Sequence, residues 1–222
     1  MNQAAFQPIP QQDRAIRTRR AIVTAAVTCA AQNGVVSSST ARVADAAGVS
    51  QGALFRYFPQ RASLWAAAVE HLLGDLFDDA VSELRVAAST DDPIAAAIAG
   101  LWRVFTDDRL FVAFELFAEA RTNSALREQL APIISAHTER EVLLAVSIFP
   151  GAGEELEAVV LGVLSTLQGA AVSSRTVMRS GAEPVELKFI EAVVRRMLGD
   201  VDFSALAGTL QDAATRQEGA TL

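Results

Sequence analysis

Between Arg14 and Gln32 the apolar residues Ile16, Val23, Val27 and Ala30 recur at intervals of seven, four and three, which marks one face of an α-helix. Asn33-Gly34 stops that pattern, and the glycine can take a left-handed cap conformation. Ser37-Ser38-Ser39-Thr40 offers N-caps for a short helix over about 41–47. Gly48-Val49-Ser50 breaks the chain again, and Ser50 can cap a second short helix over about 51–57. Pro59 ends that helix or opens the next, which runs from about Arg61 past Phe77. Further helical patterns cover about 93–106, 108–119, 124–148, 154–175 and 184–198, punctuated at Pro93, Asn123-Ser124, Pro150-Gly151-Ala152-Gly153 and Ser180-Gly181. No stretch alternates as a strand would, and there is no repeat of fixed period. The expectation is an all-α protein with a loose polar arm at its start and a fraying tail after about residue 209.

Hydrophobic residues make up 51% of the 222 positions, and much of that share is alanine, which favours helix. The formal net charge of −7 argues, as an average, against nucleic acid. The distribution reverses that inference for one end. Residues 1–65 hold Arg14, Arg17, Arg19, Arg20, Arg42, Arg56 and Arg61 against Asp13 and Asp45, a balance of +5, which leaves −12 for the remainder. A basic head on an acidic body suggests a head that meets nucleic acid and a body with another task. Cys29 is the only cysteine, lies in an apolar helical run, and is read as a small core residue in a reducing compartment. The N-terminus lacks the apolar block of a signal peptide. The charge-free stretches 21–41 and 158–174 are polar-interrupted or short for a membrane span, so a soluble, cytoplasmic protein is expected.

Two short helices joined by a three-residue turn with glycine form a helix-turn-helix pattern. Val43 and Ala47 would face inward, Ala44 is small where the helices press together, and Val49 and Leu54 would close the same small core. The second helix then presents its N-terminal end and outer face, which in this motif enter the major groove. Ser50 and the helix N-terminus can take a phosphate. Gln51 can bond adenine or a phosphate, and Arg56 a guanine or a phosphate. Gly52 allows close approach, Ala53 can touch a thymine methyl, and Tyr57 offers a hydroxyl to the DNA backbone. Arg61 is placed for a phosphate, and Arg14, Arg17, Arg19 and Arg20 for the flanking backbone or minor groove. A bare helix-Gly-helix pattern fits an ordinary helical hairpin equally well.

The segment TARVADAAGVSQGALFRYFPQRASLWAAAV, residues 40–69, goes further than that pattern. Its AAGVS, the glycine two residues on, the YF pair, the basic residue three positions later and the following Leu resemble the DNA-binding domain of TetR-family transcriptional regulators. The resemblance covers about residues 14–70 and includes the Arg-rich helix ahead of the motif. It implies a three-helix DNA-binding head, a larger helical body that binds a ligand and dimerises, and repression relieved by a small molecule. Carried over position by position, it implies DNA contacts at Thr40, Ser50, Gln51, Gly52, Ala53, Arg56, Tyr57 and Arg61, and Arg42 is added on its charge. Phe55 stands where the family often has Tyr, so a phosphate-directed hydroxyl is missing, and Arg61 stands where Lys is usual. The implied organisation is an arm over 1–13, the head over 14–60, the body over 61–208 and a polar tail over 209–222.

In the body, Trp102, Phe105, Phe111, Phe114 and Phe117 fall within sixteen residues. Core packing is expected for most of them, and a place in the wall of an apolar ligand cavity for about a third. Glu115, Arg121, His137, Gln168 and Arg175 are the polar candidates to orient a ligand, with Met178 as a soft wall; an apolar or aromatic compound is expected. Small residues at Gly162, Ser165, Gly169 and Ser173, and the apolar face Ile190, Val193, Val194 and Met197, suit a four-helix interface between two copies. The alternative is that these helices bury within their own chain. A homodimer is favoured because two heads about 34–36 Å apart read a palindromic operator better than one short helix can.

Enzyme chemistry finds little support. His71 and His137 are the only histidines, neither has a carboxylate or Cys at metal-ligand spacing, and HExxH, ExxH and GxSxG are absent. The GAG at 151–153 reads as a turn, and Glu115 with Glu119 as a solvated pair. Neither a metal nor a cofactor is expected. The expectation is a ligand-responsive, sequence-specific regulator of transcription that represses from double-stranded DNA, with no membrane partner. Rival readings are a ligand-independent or activating regulator with the same head, and a helical small-molecule binder or enzyme without DNA binding.

Overall fold

The computed structural model describes residues 11–149, 156–176 and 185–198. Among these residues the chain forms helices and no strand, in the order α1 (Gln11–Asn33), α2 (Thr40–Ala46), α3 (Gln51–Tyr57), α4 (Arg61–Ala87), α5 (Pro93–Phe105), α6 (Asp108–Ala120), α7 (Ser124–Ile148), α8 (Leu156–Thr176) and α9 (Val185–Leu198). The all-α expectation holds. The turns expected at 150–153 and 180–181, Met178, the first ten residues of the arm and the polar tail lie outside the described residues. The chain groups into two compact units, one drawn from Met1–Leu72 with Val112–Ala131, the other from Leu73–Phe111 with Pro132–Leu222.

In the first unit α1 buries Ile22, Val23, Ala26, Val27, Cys29 and Ala30. Ile16, expected on the same face, is 59% exposed, because periodicity defines a face but not how far along it neighbouring helices extend. α2 packs against α1 and α3. Its N-cap is Ser39, whose hydroxyl accepts from the Arg42 N–H at 3.2 Å. The neighbouring Ser38 is buried and donates its hydroxyl to the Gly34 carbonyl at 2.8 Å.

The break between α2 and α3 is a Schellman turn. The Val49 N–H donates to the Ala44 carbonyl at 3.0 Å and the Gly48 N–H to that of Asp45 at 3.1 Å, with Gly48 at φ 67°. Ser50 then caps α3, accepting from the Ala53 N–H at 3.1 Å. Val43, Ala44, Leu54 and Phe58 are buried, while Ala47 and Val49 are half-buried. Pro59 belongs to neither helix; it lies in the connection before α4.

In the second unit Ile94 and Ile98 of α5, Leu167 of α8, and Leu187 and Ile190 of α9 form an apolar cluster. Asp92 caps α5 by accepting from the Ala95 N–H at 3.2 Å, and Arg195 of α9 reaches the same carboxylate at 2.6 Å. The backbone N–H and then the guanidinium hold the Asp92 carboxyl below the usual carboxylate range. α4 and α5 approach closely at Gly100, where a Cβ would lie 2.8 Å from the Cβ of Glu83.

A side chain at Gly48 would meet nothing within 4 Å, so substitution there tests backbone conformation alone. Gly48→Ala should lower unfolding free energy by about 1 kcal/mol, the cost of a left-handed non-glycine residue, and Gly48→Asn by less. Urea denaturation of the three proteins measures both.

Candidate nucleic-acid interface and ligand cavity

α3 turns Leu54 inward and leaves Ser50, Gln51, Gly52, Phe55 and Arg56 exposed. Ala53 and Tyr57 are half-buried at the edges of that face, and Phe55 is 44% exposed. On α2, Thr40 is half-buried and Arg42 exposed. Arg14, Arg17, Arg19 and Arg20 are exposed along α1, and Arg19 has its guanidinium 5.2 Å from the Phe58 ring centroid. The outer side of the α2–α3 pair therefore carries arginine and small polar groups with no acidic residue on α3.

Arg61 is exposed and also makes contacts within its own unit. Its guanidinium donates to the Val35 carbonyl at 3.1 Å and the Ser38 carbonyl at 3.2 Å, and lies 5.2 Å from the Trp65 ring centroid. Two of its donors thus serve the α1–α2 turn. Glu115 of α6, expected to orient a ligand, also serves this turn: Oε2 accepts from the Val35 N–H at 2.7 Å. A side-chain hydrogen bond to backbone 26 or 80 positions away leaves no local signal in the sequence.

The second unit holds a cavity of about 200 Å³ lined from α4, α5, α6, α7, α8 and α9. Phe77, Leu101, Phe105, Leu144, Phe149 and Val163 are representative of its wall. His137 and Glu141 are the only lining residues with polar side chains among those described. His137 Nε2 stands 3.3 Å from Glu141 Oε1, and the imidazole meets the Phe77 ring edge-on at 6.2 Å. Near the α5–α6 turn, Arg109 donates to Asp107 at 3.0 Å and to Asp79 at 2.6 Å, which holds the Asp107 carboxyl below the usual carboxylate range.

Of the residues expected to line a pocket, Phe105 and His137 do so. Trp102 packs on the α5–α8–α9 cluster. Phe111 is half-buried with the Arg175 guanidinium 4.9 Å from its centroid. Phe114 and Phe117 belong to the first unit, with centroids 6.4 Å apart. Arg121 and Gln168 are exposed. Arg175 donates to the Thr106 carbonyl at 2.8 Å and to Asp108 at 2.5 Å. The aromatic run thus divides between units within α6, and its spacing alone could not reveal the division. Phe77 and Phe149 were missed because they read as ordinary apolar positions.

Residues 22–68 match the family model of bacterial regulatory proteins, tetR family. The match covers the N-terminal part of the chain, and there the chain is similar to the TetR family. It is 30% identical over 128 residues to the HTH-type transcriptional regulator BetI of Rhizobium meliloti (strain 1021), an alignment spanning 57% of this chain and 62% of that protein. It is 26% identical over 167 residues to the HTH-type transcriptional regulator CymR of Pseudomonas putida, spanning 74% of this chain and 82% of that one. The fold is similar to a crystal structure of a TetR-family transcriptional regulator from Rhodococcus sp., with TM-score 0.63, 19% identity, and coverage of 83% and 100%. Both curated relatives are named as regulators, in agreement with the expectation of a regulator in place of an enzyme.

A second exposed surface lies on α8 and α9. Gly162, Ser165, Gly169 and Ser173 are exposed on α8. On α9, Val185, Phe189 and Met197 are 64%, 62% and 44% exposed. Ile190 and Val194, expected on that outer face, turn inward instead: Ile190 is buried in the apolar cluster and Val194 lines the cavity. Val193 is half-buried. The outward apolar stripe of α9 is thus offset from the one its sequence suggested, because the strongest apolar positions went to the unit's own core. Leu156–Arg175 is longer than the stretch 158–174 and is long and apolar enough to cross a membrane, with most of it not buried.

Arg61→Gln should destabilise the protein by about 1 kcal/mol in the absence of any DNA, the typical worth of its hydrogen bonds to the turn. Thermal melts of the isolated protein check this; an unchanged melting point would return Arg61 to a purely DNA-facing role.

Proposed function

We propose that the chain is a sequence-specific DNA-binding regulator of transcription that works as a homodimer and is released from a palindromic operator by a small apolar effector. The observation that carries this reading is the exposed outer face of α3, set behind a Schellman turn and capped by Ser50. Ser50, Gln51, Gly52, Ala53, Arg56 and Tyr57 meet the DNA, with Thr40 and Arg42 on the adjoining backbone. The first unit reads DNA and the second receives the effector in its apolar cavity. The effector favours a conformation whose heads are wrongly spaced for two successive major grooves. A coupling of about 1–3 kcal/mol would weaken operator binding roughly 5–150-fold.

The exposed small residues of α8 beside the exposed Val185, Phe189 and Met197 of α9 support a four-helix contact between two copies, with close packing at Gly162 and Gly169. This use of α8 accounts for its apolar exposure without a membrane. Phe189→Glu should convert a dimer to a monomer in size-exclusion chromatography and leave the helical circular dichroism signal intact.

Selection from a random duplex library tests the main reading. The expected outcome is a palindrome, bound with log K falling against log salt by about 0.9 for each phosphate neutralised. Gly52→Ala separates DNA contact from folding. A Cβ there would come no closer to the protein than 4.0 Å, at the Ser50 hydroxyl. The variant should keep or gain stability, by up to about 1 kcal/mol, while operator affinity falls. Full affinity in Gly52→Ala and Arg56→Ala together would remove α3 as the reading element.

A further inference from the structure

The wall of the second unit's cavity points to the chemistry of what it takes. Its volume of about 200 Å³ is somewhat above the roughly 150 Å³ of an apolar cavity that holds benzene. One aromatic ring with a short substituent fits that space. Among the described lining residues the polar side chains are confined to His137 and Glu141, one turn apart on α7. They are already paired, at 3.3 Å, and their side chains are 19% and 23% exposed. A carboxylate offers about four acceptor directions across two oxygens, so Glu141 retains capacity for a further donor after meeting His137.

Charge decides what the polar end must be. No arginine or lysine lines the cavity among the described residues. Arg140 is the nearest cation on the same helix, and it is committed elsewhere: its guanidinium lies 3.7 Å from the Phe77 centroid and donates to Asp78 at 3.2 Å. A protonated His137 would be neutralised by Glu141. An anion entering this site would lose its water and face a carboxylate with no free cation. A cation or a hydroxyl would instead find an acceptor at Glu141.

We propose that the cavity binds a single-ring apolar molecule with one short hydrogen-bond-donating arm, an amine above an alcohol, and rejects the matching carboxylate. Glu141 receives the donor and His137 holds Glu141 in place. The inference rests on reading this cavity as the effector site.

Isothermal titration of the full chain with phenethylamine, phenethyl alcohol and phenylacetate at neutral pH tests it. The amine should bind most tightly, the alcohol next, and phenylacetate at least about tenfold more weakly than the amine. Glu141→Gln keeps an acceptor oxygen and removes the charge. It should weaken the amine about tenfold or more and the alcohol less than about threefold. Ala97→Trp, which fills the cavity from α5, should abolish binding of both, with melting curves of each variant confirming that it folds. Phenylacetate binding as tightly as the amine, an amine indifferent to Glu141→Gln or Ala97→Trp, or no binding by any probe would each overturn the inference. Operator binding is measured separately. A probe that binds through Glu141 but leaves the operator complex intact supports the ligand class and removes the effector role, so the two failures are distinct.

Discussion

Two helices of seven residues each are too short to persist alone in water, and α2 and α3 are both of that length. Their existence depends on burying Val43, Ala44, Leu54 and Phe58 in the first unit, whose core also takes the α1 stripe from Ile22 to Ala30. Each helix turns most of its apolar residues to that burial, so what remains outside is polar or small apart from Phe55. The exposed face of α3 is therefore a by-product of the packing that holds α3 in place. The angle between the two helices follows from the left-handed residue at Gly48 and from the pair of caps on either side of the break.

The turn ahead of α2 is held from both sides. Arg61 at the start of α4 takes two carbonyls, and Glu115 of α6 takes the Val35 N–H. Within the turn the Val35 carbonyl also accepts from the Ser38 N–H at 3.2 Å, and the two side chains meet groups that would be costly to leave unmade at a partly buried position. An arginine and a glutamate thus do the work that helix and sheet ladders do elsewhere. The same logic appears in the second unit, where Asp92, Arg195, Arg109 and Arg175 close helix ends and turns. Most of the charged side chains with named partners serve the backbone or each other, and the unengaged charge along α3 stands out against that background.

The cavity belongs to a unit whose apolar positions exceed what its helices need for one another. Trp102, one of the five clustered aromatics, packs on the cluster of α5, α8 and α9, while less conspicuous Leu, Val and Phe positions line the space. An aromatic cluster in sequence measures hydrophobic content, not location, because whether a residue fills a core or borders a cavity depends on helices far away in the chain.

The sequence by itself determined the helices and their ends, since local periodicity, serine caps, glycine breaks and prolines act within a few residues. Every expected helix appears within a few residues of its place, and the Gly48 turn and the Ser50 cap were readable from AAGVS alone. It also carried the head's resemblance to the TetR family, because that motif is compact and continuous. Tertiary structure decided the rest: that Ile16 lies exposed, that Arg61 and Glu115 hold a turn, that Phe114 and Phe117 fall in the first unit, that Ile190 and Val194 turn inward, and that His137 is joined by Glu141 in an otherwise apolar wall. Each of these depends on which helix packs against which face, and that choice is made by the summed burial of many residues distant in sequence, which no local pattern encodes.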